Sequence, residues 1–412
     1  MNRTFVIGIL SSVVFATAFA GSPYLQTGIE VLRDRSFDLL LGKRVGLITN
    51  PTGVDRQLRA TIDILFAAKG LSLVALYGPE HGVRGDYAAG DVVDFYTDPL
   101  TKLPVYSLYG KTRKPTPDML NGIDVLVYDI QDIGCRSYTY ISTMGLAMEA
   151  AATQGIPFVV LDRPNPLGGN RVEGNSVEKG FFSFVSQFPI PYVYGLTCGE
   201  LARMLNDEGM LTGGVRCSLT VVPMKGWTRS MTFAETGLPW VPTSPHIPHD
   251  SSPLYYVSTG ILGELGVISE GVGYTLPFQL LAAEWINSAD LAAQMNALKM
   301  PGFIFRPITV KPFYGKSTGK TLQGVQLHII DPNVANLISV QFRFLEVHHQ
   351  MYPEKNPFTL ADGSRIKMFD KVAGTDKVRT AFTARMRYED VKDLLEGGIG
   401  EFKARSKKYL LY

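Results

Sequence analysis

The sequence predicts an α/β fold built on a doubly wound, mainly parallel sheet, and three observations carry that prediction. Short apolar runs recur through the first half of the chain, helical spacing fills the stretches between them, and each run breaks off into polar residues beside Gly or Pro. Apolar runs without alternation are expected of strands covered on both faces, and strands alternating with helices build parallel sheets.

The first run, Arg44 to Asn50, closes on Pro51, Thr52 and Gly53. Helical spacing follows from Arg56 to Lys69 and ends at Gly70, a residue suited to the left-handed position after a helix. Leu71 to Tyr77 is the second run, stopped by Gly78 and Pro79 and followed by Glu80 and His81. Val125 to Asp129 discharges into Ile130, Gln131, Asp132, Gly134, Cys135, Arg136 and Tyr138, and a second helix spans Ile141 to Gln154 before Gly155. Phe158 to Asp162 runs into Arg163, Pro164, Asn165 and Pro166. Thr197 and Glu200 have the spacing of a capping box that opens a helix through Asn206, which assigns Glu200 to capping. Ser218 to Val222 closes the first domain, residues 24–225.

Composition then shifts to Pro, Trp, Ser and His, so 226–253 reads as an ordered loop crossing a cleft. From 254 to 412 the pattern changes again. Leu322 to Ile330 alternates with period two, as in a sheet with one wet face, and predicts a smaller α+β domain. Its Ser269-Glu270-Gly271 would face the cleft, while His246 and His249, in a Pro-rich loop, read as surface residues. Residues 1–20 carry a basic start, a short apolar stretch and Ala18-Phe19-Ala20, the pattern of a cleavable export leader, and no later stretch is long enough to span a membrane.

With 40 Lys and Arg against 38 Asp and Glu, electrostatics make no case for nucleic acid. Three cysteines, Cys135, Cys198 and Cys217, form neither a disulfide framework nor a zinc motif, and no strand is followed by G-x-G-x-x-G. In open parallel sheets, ligands bind beyond the carboxyl ends of the strands. That rule gathers Asn50, Glu80, His81, Asp129, Asp132, Asp162, Arg163 and Asn165 on one rim.

Several strings together resemble one family: GKRVGLITNPTGVD (42–55), GPEHGVRGD (78–86), LPVYSLYGKTRKPTPDML (103–120), DIQDIG (129–134), VLDRPNPLGG (160–169), FDKVAGTD (369–376) and the terminal KKYLLY. The chain is similar over essentially its whole length after the leader to the exo-β-N-acetylmuramidases of peptidoglycan turnover. The resemblance implies a Rossmann-like first domain, an auxiliary second domain and an active site between them. It also implies a glycoside hydrolase that takes N-acetylmuramic acid from non-reducing ends, with no metal or organic cofactor, and Glu80 as general acid. The sequence departs from the family pattern at Val272, where an Arg is expected, at Tyr274, where a Thr is expected, and at His246 in place of an Asn.

Glycoside hydrolysis uses a second carboxylate, about 5–5.5 Å away for retention or about 6.5–9.5 Å for inversion. Asp129, Asp132, Asp162, Glu173 and Glu270 compete for that role, with Asp129 and Asp162 equally able to tie down loops. Arg136 and Arg163 have the fork geometry for a substrate carboxylate, Tyr138 suits a sugar ring, and Asn165 and His81 suit sugar hydroxyls. Two rival readings remain open at this point: metal-dependent hydrolysis through Glu80, His81 and the aspartates, and sugar binding without cleavage.

Overall fold

The computed structural model describes residues 25–85 and 95–412. The expected leader lies outside them. Among the described residues, the apolar runs form a seven-stranded sheet in the order β3-β4-β2-β1-β5-β6-β7. Its strands are β1 (Arg44–Thr49), β2 (Ser72–Gly78), β3 (Tyr96–Thr97), β4 (Pro104–Ser107), β5 (Val125–Asp129), β6 (Phe158–Leu161) and β7 (Leu219–Val222). All neighbours are parallel except the edge pair β3 and β4. Strands β5 and β6 are buried at every position, as expected when helices cover both faces. The chain builds outward from β1 through β2 to β4, then returns to the other side of β1 with β5. All parallel strands therefore end on one rim.

The sheet is flanked by α1 (Gly28–Asp34), α2 (Thr61–Ala67), α3 (Tyr140–Gln154) and α4 (Cys198–Asp207). Helix α4 begins with the expected capping box, and Glu200 also accepts from Arg229 at 2.7 Å. Helix α2 is shorter than its spacing predicts. The Asp55 carboxylate accepts from the amides of Gln57 and Arg59, and Leu58 turns to φ +61, so side-chain bonds to the backbone outcompete the first helical turn.

The second domain holds a three-stranded antiparallel sheet, β8 (Leu280–Ala283), β10 (Leu322–Ile329) and β9 (Phe303–Val310) in that spatial order. Around it pack α5 (Ser252–Gly263), α6 (Ser288–Ala297) and α7 (Ser339–Met351). Its core continues into the first domain through Ile133, Cys135, Tyr192 and Val193. The two domains are thus fused by apolar packing. The chain's end also crosses back, since Phe402 and Tyr409 join the first domain's core and the Tyr412 hydroxyl donates to Asp162 at 2.7 Å. Among the described residues no helix is long and apolar enough to cross a membrane.

Candidate active site

Strand β2 ends at Gly78, where a Cβ would press to 3.2 Å on the backbone of Gly82 and Val83, so glycine permits the tight turn that follows. That turn carries Glu80 and holds His81 at φ +74, a left-handed conformation uncommon outside glycine and frequent at functional sites. Both line a cavity of ≈ 550 Å³ between the two domains, within the usual range for small-molecule sites. Tyr109, two residues beyond β4, hydrogen-bonds Glu80, and burial together with that neighbouring charge pushes the Tyr109 phenol up to about 12.

The floor is aromatic. Tyr138 meets Tyr140 edge-on at 4.9 Å and Tyr256 at 5.8 Å, and Tyr256 meets Phe278 at 4.9 Å. The 226–253 loop crosses this floor, pinned where the Tyr138 hydroxyl donates to Thr243 at 2.8 Å and the Trp240 indole donates to the Ile247 carbonyl at 3.1 Å. The loop delivers His246, which bonds the Tyr314 hydroxyl at 2.8 Å; burial, then the nearby His81, depresses its pKa. From the second domain come Glu264, at the end of α5, and Lys371.

The structure brings Glu80, His81 and Tyr138 together in this cavity and sets Asn50 just beneath, close to Tyr140. The other candidates lie elsewhere. Asp129 is fully buried, gripped by Arg163 at 2.5 and 3.0 Å and by the Thr61 hydroxyl at 2.5 Å. Asp162, also buried, accepts from Arg163 N, Thr197, Gly199 N and Tyr412, and burial raises its carboxyl to about 6 against those bonds. Neither lines the cavity. Strand-end carboxylates here satisfy backbone and guanidinium donors, the tying role.

Asp132 is buried and bonded to Tyr194 and to Gly134 N, with its carboxyl pushed to about 6 by burial. Asn165 bridges Leu167 N and the Leu196 carbonyl, both at 2.9 Å. Arg136 spends its guanidinium on the carbonyls of Asn175, Ile190 and Val372. Glu173 pairs with Arg171 at a separate cavity, and Glu270 packs against Gly263 behind Glu264. Val272 does not line the cleft. Among the described residues no cluster of three or more His, Cys, Asp or Glu is arranged to hold a metal ion.

Models of the N- and C-terminal domains of the exo-β-N-acetylmuramidase NamZ match residues 45–251 and 254–412. The chain belongs to the NamZ family of glycosidases. It is 46% identical, over the full length of both chains, to the peptidoglycan β-N-acetylmuramidase NamZ of Bacillus subtilis strain 168. Two crystal structures of DUF1343 family proteins from Bacteroides fragilis NCTC 9343 superpose on it. One has 58% identity and a TM-score of 0.91, the other 28% and 0.74, and each match covers 94% of this chain and 99% of the other.

Beyond the expected rim, this NamZ-family cleft contains Tyr109, Arg113, Tyr256, Glu264 and Lys371, which sequence reasoning missed. A signal for Tyr109 existed, because Val105-Tyr-Ser is one more run ending on the same rim. Its four-residue length and leading Pro104 hid it. Glu264 and Lys371 carried no local signal, since a helix end shows nothing of the cavity it faces.

Proposed function

We propose that the protein is an exo-acting hydrolase that releases N-acetylmuramic acid from the non-reducing ends of peptidoglycan fragments, with Glu80 as general acid toward the departing oxygen. The observation that carries this reading is Glu80 itself, held by a glycine-dependent turn on the wall of a ≈ 550 Å³ cleft floored with tyrosines. Tyrosine faces and hydroxyls suit sugar rings, and the Glu80–Tyr109 bond fixes the carboxyl toward the cavity. N-acetylmuramic acid differs from N-acetylglucosamine by a lactyl ether that ends in a carboxylate. Among the described residues the cleft supplies two cations for that group, Arg113 and Lys371, one from each domain. Arg113 lies over the Phe184 ring at 4.4 Å, which orders its side chain. The amino-terminal pattern supports export, with cleavage after Ala20 and action in the periplasm or outside the cell.

The test is hydrolysis of chromogenic β-N-acetylmuramide and β-N-acetylglucosaminide by the mature protein and by Glu80→Gln. The expected result is release from the muramide alone, reduced about 10²- to 10⁴-fold in the variant, the usual contribution of a general acid. Saturable binding of muramyl saccharides without release would refute hydrolysis and support a binding protein.

A further inference from the structure

Glu264 is a carboxylate placed against two ordinary rules. It follows the last residue of α5, the negative end of the helix dipole, where anions are disfavoured. It is set among apolar and aromatic neighbours such as Ile247, Tyr256 and Phe278 on the cavity wall. It is half-buried, and its carboxylate makes no hydrogen bond or ion pair among the described residues, which leaves it free to meet a molecule in the cavity. Violations of this kind concentrate at functional sites, because a stable fold has no use for them. Burial lifts the Glu264 carboxyl above the ordinary glutamate range, opposed by the charge of Arg365.

Among the described residues, Glu80 and Glu264 are the two carboxylates lining the cleft, and they stand on walls contributed by different domains. We infer that Glu264 is the second carboxylate of the reaction, acting as general base on the sugar face opposite Glu80. The inference rests on the muramidase reading of the cleft. A water between Glu264 and the anomeric carbon gives one proton to Glu264 as its oxygen bonds to that carbon. The glycosidic carbon–oxygen bond breaks, and the departing oxygen takes the proton of Glu80. Free muramic acid and the shortened fragment leave with Glu264 protonated and Glu80 ionised, and solvent water returns the proton. Opposed carboxylates with a water between them are the arrangement of inverting enzymes.

Wild-type protein, Glu264→Gln and Glu264→Ala are compared on the chromogenic muramide, with melting temperature recorded for each. The expected result is a fall of at least about 10²-fold in kcat for both variants. Sodium azide should restore turnover to Glu264→Ala and yield the α-muramyl azide, a rescue that a packing role would not give. Proton NMR of wild-type hydrolysis should show the α anomer first. Activity of Glu264→Gln within threefold of wild type, loss without azide rescue, or first release of the β anomer would each overturn the inference while leaving the muramidase reading intact. A wild-type protein that does not cleave the muramide would remove both together.

Discussion

Replacing Arg136 by lysine separates two roles for a residue that the sequence marks as a carboxylate binder. In the structure its guanidinium donates to the Asn175 carbonyl at 2.6 Å, the Ile190 carbonyl at 2.7 Å and the Val372 carbonyl at 2.9 Å, three acceptors from separate segments of both domains. Gly374, at φ +79, leaves the space, since a Cβ there would meet the guanidinium at 2.9 Å. Burial pushes the Arg136 pKa down to about 10, so this is a desolvated cation solvated by backbone. A lysine ammonium keeps the charge and its desolvation cost but cannot span the three carbonyls. Losing two charge-assisted bonds at about 1.5–3 kcal/mol each predicts a loss of about 3–6 kcal/mol. With an unfolding entropy of about 2.1 cal/mol/K per residue, the melting temperature should fall by about 4–7 °C. Guanidinium unfolding and thermal melts measure the loss, and hydrolysis at 20 °C supplies the second readout. A brace predicts KM within about twofold of wild type; a substrate-binding arginine predicts a large rise in KM with stability nearly unchanged, which would refute the reasoning.

Asp129→Asn should leave Arg163 buried without its ion pair and cost about 3–5 kcal/mol in chemical denaturation, while the kcat of the folded enzyme stays within a few fold. Tyr412→Phe keeps the ring on Trp227 but removes a donor to Asp162 and an acceptor for Met224 N, for a loss of about 2–3 kcal/mol in the same assay. Glu270 titrates near 7, raised first by burial and further by Glu264. Because its folded pKa lies above the unfolded one, the stability it contributes is full below about 4.5 and is lost as pH rises through about 7. Glu270→Gln should therefore melt higher than wild type at pH 8, by up to about 3 kcal/mol, and match it at pH 4.5; equal gains at both pH values would contradict the assignment.

The parallel sheet was legible because its strands are buried on both faces, so continuous apolar runs such as Val125 to Asp129 coincide with β5 from first to last residue. The rim was legible for the same reason, and it led to Glu80 and His81. What each polar residue does there was not. Asp129 and Asp162 end their strands just as β2 leads to Glu80, yet their bonds come from Thr61, Thr197 and Tyr412, partners far along the chain that no local pattern announces. Arg113 and Glu264 escaped in the opposite sense. Their importance comes from the cavity they face, which exists only once the two domains share a core.

Tyr412 reaches back 250 positions to Asp162, and that closure has a consequence in time. A nascent chain presents Asp162, just past β6, early, but the hydroxyl that completes its acceptor shell is made only after the second domain. The first domain is therefore finished by residues synthesised after the second, whatever order the sheets assemble in. Proteolytic clipping near residue 400 would therefore strike the seven-stranded sheet as well as the auxiliary domain, and any displacement of Tyr412 would loosen the first domain from a position beyond the second.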